Sequence, residues 1–229
     1  MINFKNSNFK RFIAIAAIAL AGTFANTVAV TKASHETRCA ETLYSNDFEK
    51  LPEGEPDAEL VVLVKGVLIK SIDGNKVLEF PSEPSDGYGV IFGPDGKSLL
   101  SVSARFKGSS NGRRFPEFGL GLADTGGYKL MAVPAAGELQ LLKGEDVKAT
   151  IPYSWHSGLW TNLKLQVQQA GDGKWAVQGK AWEGKEEPKD WTVKFEETEE
   201  PPKGRPSVWG SPYASTPIDV DDLLVTPAE

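Results

Sequence analysis

Cysteine is nearly absent from this chain. Its 229 residues contain one, Cys39, so no intramolecular disulfide can form. Histidine is almost as scarce, with two in all. His35 lies in the N-terminal leader, which leaves His156 alone in the bulk of the chain. That excludes a histidine-rich metal site and gives a Ser-His-Asp triad only one candidate base. Positive charge is not in excess either: the net charge of −6 argues against a nucleic-acid or anionic-membrane partner. No apolar run reaches the ~18–20 residues of a membrane span. After Leu43 no stretch sustains a helical period, which excludes helical bundles and parallel α/β sheets.

What is present begins with an export signal. Lys5, Lys10 and Arg11 precede the apolar run Phe12–Phe24, and small residues suited to cleavage follow between positions 25 and 33. This is the pattern of a secretory signal peptide. The expected organisation is a signal peptide and leader over 1–33, a disordered leader over 34–42 and one domain over 43–229. The mature chain is then secreted or periplasmic, with no membrane span. Glu36-Thr37-Arg38 before Cys39 lacks the small and aliphatic residues of a lipoprotein site, so Cys39 is expected to be a plain thiol in the leader.

The domain reads as roughly a dozen strands separated by turn residues. Leu60–Val64, Val67–Ile72, Lys76–Phe80 and Tyr88–Phe92 are short apolar runs, parted by Gly66, Asp73-Gly74-Asn75 and Ser85-Asp86-Gly87. Leu100, Val102, Ala104 and Phe106 alternate with polar residues, as do Leu163, Leu165 and Val167. Asp172-Gly173 predicts a hairpin turn into Trp175–Trp182. Regular short strands predict an all-β, two-sheet antiparallel sandwich or jelly roll. Glu183–Lys203, rich in charge and proline, is expected to be a solvated hairpin and loop on the outside of one sheet.

The closing segment Ile218-Asp219-Val220-Asp221-Asp222-Leu223-Leu224-Val225 poses a physical problem. In a regular strand Ile218, Val220, Asp222 and Leu224 share one face, turning a carboxylate toward the apolar side. An unpaired buried charge costs several kcal/mol or more. A β-bulge, a cation or a hydrogen-bonded corner must resolve it.

Several segments together resemble the concanavalin A-like lectin/glucanase superfamily of bacterial extracellular jelly-roll domains. They are Asn46-Asp47-Phe48-Glu49, Trp160 with Leu163, Leu165 and Val167, the Trp182–Trp191 hairpin, and Gly204–Gly210 leading into the closing strand. The resemblance spans about residues 43 to 226 and implies two curved antiparallel sheets. It also implies a structural Ca²⁺ tying the opening strand to the closing one, with Asp47, Glu49, Asp221 and Asp222 as the hard oxygen ligands. Glu55-Pro56-Asp57-Ala58-Glu59 is similar to the catalytic strand of family 16 glycosidases, which makes Glu55, Asp57 and Glu59 candidate catalytic acids. Against that role, Pro56 cannot donate to a sheet ladder, so an exposed loop is expected. Gly108-Ser109-Ser110-Asn111-Gly112 matches a nucleophile elbow in letters, but no helix follows it.

All six tryptophans follow residue 154. Exposed indoles stack on sugar C–H faces, so surface tryptophans are candidate glycan platforms. Trp155, His156 and Trp209 lie in turn-rich stretches and are the ligand-binding candidates; Trp160 is expected in the core. The resulting expectation is a non-catalytic domain that recognises an extracellular or cell-wall polysaccharide. A glycoside hydrolase of the same fold and a structural or interaction domain without a glycan ligand are the alternatives.

Overall fold

The structure, a computed structural model, describes residues 41–83 and 87–229. The expected signal peptide, most of the expected leader, Cys39 and part of the Ser85-Asp86-Gly87 turn lie outside the described residues. Among the described residues there are fifteen strands, and no helix is long and apolar enough to cross a membrane.

The strands form two antiparallel sheets. The eight-stranded sheet runs β13 (Val193–Glu197), β12 (Lys174–Glu183), β11 (Trp160–Gly171), β6 (Leu100–Gly108), β15 (Ile218–Pro227), β4 (Asn75–Phe80) and β3 (Leu68–Ile72). β1 (Tyr44–Asn46) pairs with the later half of β15. The seven-stranded sheet runs β10 (Asp146–Pro152), β9 (Glu138–Lys143), β8 (Tyr128–Val133), β7 (Glu117–Leu122), β14 (Ser207–Ser211), β5 (Tyr88–Ile91) and β2 (Val61–Val62).

Period-two patterning decides which side chains meet between the sheets. Val102, Ala104 and Phe106 on β6, with Leu163, Leu165 and Val167 on β11, turn inward and are buried. They face Phe118, Leu120, Leu130, Leu139 and Leu141 from the other sheet, and Phe106 stacks on Phe118 with centroids 5.1 Å apart. Each such side chain contributes about 1.5–3 kcal/mol by leaving water. Gly179 lets the sheets approach, since a Cβ there would lie 2.6 Å from Leu130 Cδ1.

The closing strand resolves its charge problem with a bulge. Asp219 pairs with Lys107 and Asp221 with Arg105, but Leu224 pairs with Ser103, so Asp222 and Leu223 together oppose the single residue Ala104. Asp222 takes the strain, with φ at 53°. Before the bulge Ile218 and Val220 point into the core; after it Leu223 and Val225 do, and Leu224 is exposed. The phase flip keeps every carboxylate off the apolar face.

Two expectations need correction. Within the Leu60–Val64 run only Val61–Val62 forms a strand: Leu60 is buried in the core ahead of it, and Leu63 and Val64 are exposed at the sheet edge. Glu183–Lys203 is not all solvated loop: it contains the edge strand β13, whose Val193 and Glu197 are buried.

Candidate functional site

The outer face of the eight-stranded sheet, turned away from the core, is built from aligned cross-strand rows. Register places Trp182 beside Asn162, Asn162 beside Arg105, and Arg105 beside Asp221. One step along, Trp160 lies beside Lys107, Lys107 beside Asp219, and Asp219 beside Glu79. Strands are ~4.8 Å apart, so each four-strand row is about 14 Å long.

Arg105 is the hub. Its Nη2 donates to Asp221 Oδ2 at 2.6 Å, its Nε lies 2.9 Å from Asp222 Oδ2, and its guanidinium stacks 4.4 Å from the centroid of Trp160. The Nε contact is an ion pair without hydrogen-bond alignment. Asp221 is 1 % exposed and fully engaged: Asn75 Nδ2 also donates to Oδ2 at 2.8 Å, and the Asp222 amide donates to Oδ1 at 2.7 Å.

Three hollows open around this hub. One of about 600 Å³ lies between Asn46, Asp47, Arg105, Asn162, Trp182 and Asp222. A second of about 430 Å³ lies between Trp160, Trp182 and Glu187. The third, about 240 Å³, lies beyond the Arg105–Trp160 stack, against Val77, Lys107 and Asp219. The loop over 184–192 is pinned to the rim by Lys180, which donates to Pro188 O at 2.6 Å and sits 4.7 Å from the Trp191 ring. Glu187 Oε1 accepts both Lys164 Nζ at 2.9 Å and Lys180 Nζ at 2.8 Å.

The electrostatics follow from burial and pairing. Burial, and then Glu79 opposite, push the Asp219 carboxyl up to about 6 against the pull of Lys107 and Lys70. Burial and Asp221 also raise Asp222, with Arg105 opposing. Burial works to raise Glu187, but the hydrogen bonds from Lys180 and Lys164 outweigh it and hold it below its usual range.

The candidates read from sequence do not converge. Trp155 turns toward the core: its ring meets Phe115 and Phe118 at centroid distances of 6.5 and 6.3 Å, and its Nε1 is buried without a partner. It is a packing residue, because the loop carrying it closes the end of the sandwich. His156 is exposed and contacts Glu183 at 3.0 Å, at the end of β12 next to Trp182. Trp209 lies on the outside of the other sheet. Its indole rests where a Cβ on Gly89 or Gly121 would clash, and Lys129 Nζ sits 4.6 Å from its centroid. Sheet on one side and ammonium on the other leave it a poor platform.

Trp160, expected in the core, is on the outer face against Arg105. Glu55, Asp57 and Glu59 are exposed in the loop between β1 and β2, where they share no strand face. Ser110 is in the loop between β6 and β7, its amide donating to Ser157 Oγ. The sequence reasoning missed Arg105, Asn162 and Trp182. The strand alternation that put Leu163 inside also puts Asn162 outside, and that signal was available.

The four acids expected to hold calcium do not fit a metal. Arg105 occupies the cation's place between Asp221 and Asp222. Glu49 Oε1 accepts the Lys76 amide at 2.8 Å, and Asp47 Oδ1 accepts the Glu49 amide at 3.3 Å. Among the described residues no group of three or more His, Cys, Asp or Glu could hold an ion.

No family model and no curated protein matches the sequence. Solved structures do match in shape. The carbohydrate recognition domain of Emp47p superposes with a TM-score of 0.56 at 11 % identity, covering 83 % of this chain and 97 % of that one. The carbohydrate-binding module CBM66 from Bacillus subtilis gives 0.52 at 7 % identity, covering 73 % and 95 %. The fold is the concanavalin A-like jelly roll. The potassium-bound form of the Emp46p carbohydrate recognition domain also matches this jelly roll, with a TM-score of 0.55 at 10 % identity over 83 % and 99 % of the two chains. That structure of the same shape therefore holds a bound metal. Here Arg105 stands between Asp221 and Asp222 at the bulge of the closing strand.

Proposed function

We propose that residues 43–229 form an exported, non-catalytic glycan-recognition domain, released by cleavage of the N-terminal signal into the medium or periplasm. The glycan lies across the outer face of the eight-stranded sheet. One observation carries this reading: Trp182, Asn162, Arg105 and Asp221 form an unbroken row across four strands, with hollows on both sides. An aromatic ring beside hydroxyl-reading polar groups is what a sugar needs from a protein. The carbohydrate-recognition names of the similar structures point the same way. Asp222 and Glu187, the carboxylates flanking the row, are each tied to cations, which supports a binding role over acid–base work.

Stacking one ring on a sugar contributes about 1 kcal/mol, so affinity falls in the roughly micromolar to millimolar range. Affinity electrophoresis over a panel of soluble polysaccharides tests the reading. At least one should retard the parent protein, and Trp182→Ala should lose that retardation at an unchanged melting temperature. A parent that migrates freely through the whole panel refutes it.

A single observation favours a glycosidase instead. Asp219, raised to about 6, lies directly across from Glu79, as an acid beside a second carboxylate would. Glu79 is, however, hydrogen-bonded to Lys70 at 2.5 Å. Zymography on the retained polysaccharide decides between the two.

A further inference from the structure

Lys107 and Asp219 are direct cross-strand partners, with Trp160 on one side and Glu79 on the other. Opposite charges placed this way ordinarily pair. These do not. Among the described residues the Asp219 carboxylate makes no side-chain hydrogen bond and no ion pair within 4 Å, and neither does the Lys107 ammonium. Asp219 is 8 % exposed, and its Oδ1 is shut from water without a donor. Native proteins rarely leave a buried carboxylate in that state. Placing it across from Glu79 adds like-charge repulsion. Glu79 has its own partner in Lys70, and Asp221 has Arg105 and Asn75, so those three donors are committed elsewhere.

Between the unpaired groups lies the hollow of about 240 Å³, walled by the Trp160 indole and floored by Val77. Its volume is that of about eight water molecules in the liquid, enough for one sugar ring but not for a chain. We propose that this hollow is a subsite for a single pyranose unit, in which two adjacent hydroxyls bridge the unpaired charges. One hydroxyl donates to the Asp219 carboxylate, and its neighbour accepts from the Lys107 ammonium. Trp160 bounds the ring. The inference rests on the glycan reading and gives it a chemical class: a sugar with a free vicinal diol at the end of the bound segment.

The test uses the full mature chain and a panel of methyl hexopyranosides in the gluco, galacto and manno series, followed by saturation-transfer NMR. At least one glycoside should receive saturation from the parent. Its two monodeoxy analogues lacking either hydroxyl of the diol should not. Asp219→Ala and Lys107→Met should each weaken that glycoside by about tenfold or more, as removal of a hydrogen bond to a charged group does. Unchanged far-ultraviolet dichroism and a single cooperative melting transition show that each variant is folded. No transfer to any glycoside from the parent overturns the subsite, as does a bound glycoside indifferent to both substitutions. If polysaccharides are still retained in either case, the broader glycan reading survives without it.

Discussion

Replacing Asp219 with asparagine should make the protein more stable, and only above the acid range. The carboxyl is raised from 3.8 to about 6 by burial and by Glu79. A group whose folded pKa exceeds its unfolded value binds its proton more tightly in the native state. Between those two values the native chain holds a proton that the unfolded chain has lost, so stability falls as pH rises through that window. Above about 6 the full penalty is present; below about 4 it vanishes. A shift of this size corresponds to a ceiling of about 3 kcal/mol. Asparagine removes the charge and keeps an unpartnered polar group, as the protonated acid does, while partial solvent screening reduces the penalty it relieves. The net gain is about 1–2 kcal/mol, or roughly 2–8 °C in melting temperature for a domain of this length. Calorimetric melts of parent and Asp219→Asn at about pH 7.5 and about pH 4 read this directly. The variant should melt higher at the first pH and together with the parent at the second. Equal melting at neutral pH, or a gain that persists undiminished in acid, would falsify the reasoning.

Other substitutions separate the roles assigned above. Arg105→Met strands the buried Asp221 without its cation and should cost about 3–5 kcal/mol in urea titration. The parent's melting temperature should not respond to chelator, since Arg105 stands where a calcium ion would; a drop restored by added Ca²⁺ would contradict that placement. Trp155→Ala should cost about 3–5 kcal/mol by emptying the space against Phe115 and Phe118, while a glycan retained by the parent is still retained by the folded fraction. N-terminal sequencing of protein from medium or periplasm should find the chain beginning beyond residue 25; an intact Met1 in a membrane fraction would rule out the cleaved signal.

Much of the sandwich was legible because each strand's faces are set by local alternation. β6, β8 and the Asp172-Gly173 hairpin needed nothing beyond parity and turn chemistry. Even the difficulty at Asp222 was visible, and a bulge was among its solutions. Trp160 was misplaced by weighing its bulk over its parity, since it is out of phase with Leu163, Leu165 and Val167. The site itself was hidden for another reason. Arg105 and Asp221 are 116 residues apart in sequence, and only the strand order brings them together. Nothing in a single sequence pairs β6 with β15. Trp155 and Trp209 were hidden differently: the surroundings of a loop residue or of an outward ring come from elements far along the chain.

The place of β15 in the sheet has a consequence for how the molecule is made. It is the last of the described strands in sequence, yet it is hydrogen-bonded to β6 on one side and to β4 and β1 on the other. A chain emerging from its N-terminus carries a sheet with a gap at its middle until the 10 residues of β15 are free. Until then β6 and β4 present open edges, and the pairings that would close them are among the most distant in the chain. Closure of that sheet must therefore wait until β15 is available. A centrepiece that follows all its partner strands in sequence is a built-in delay to folding.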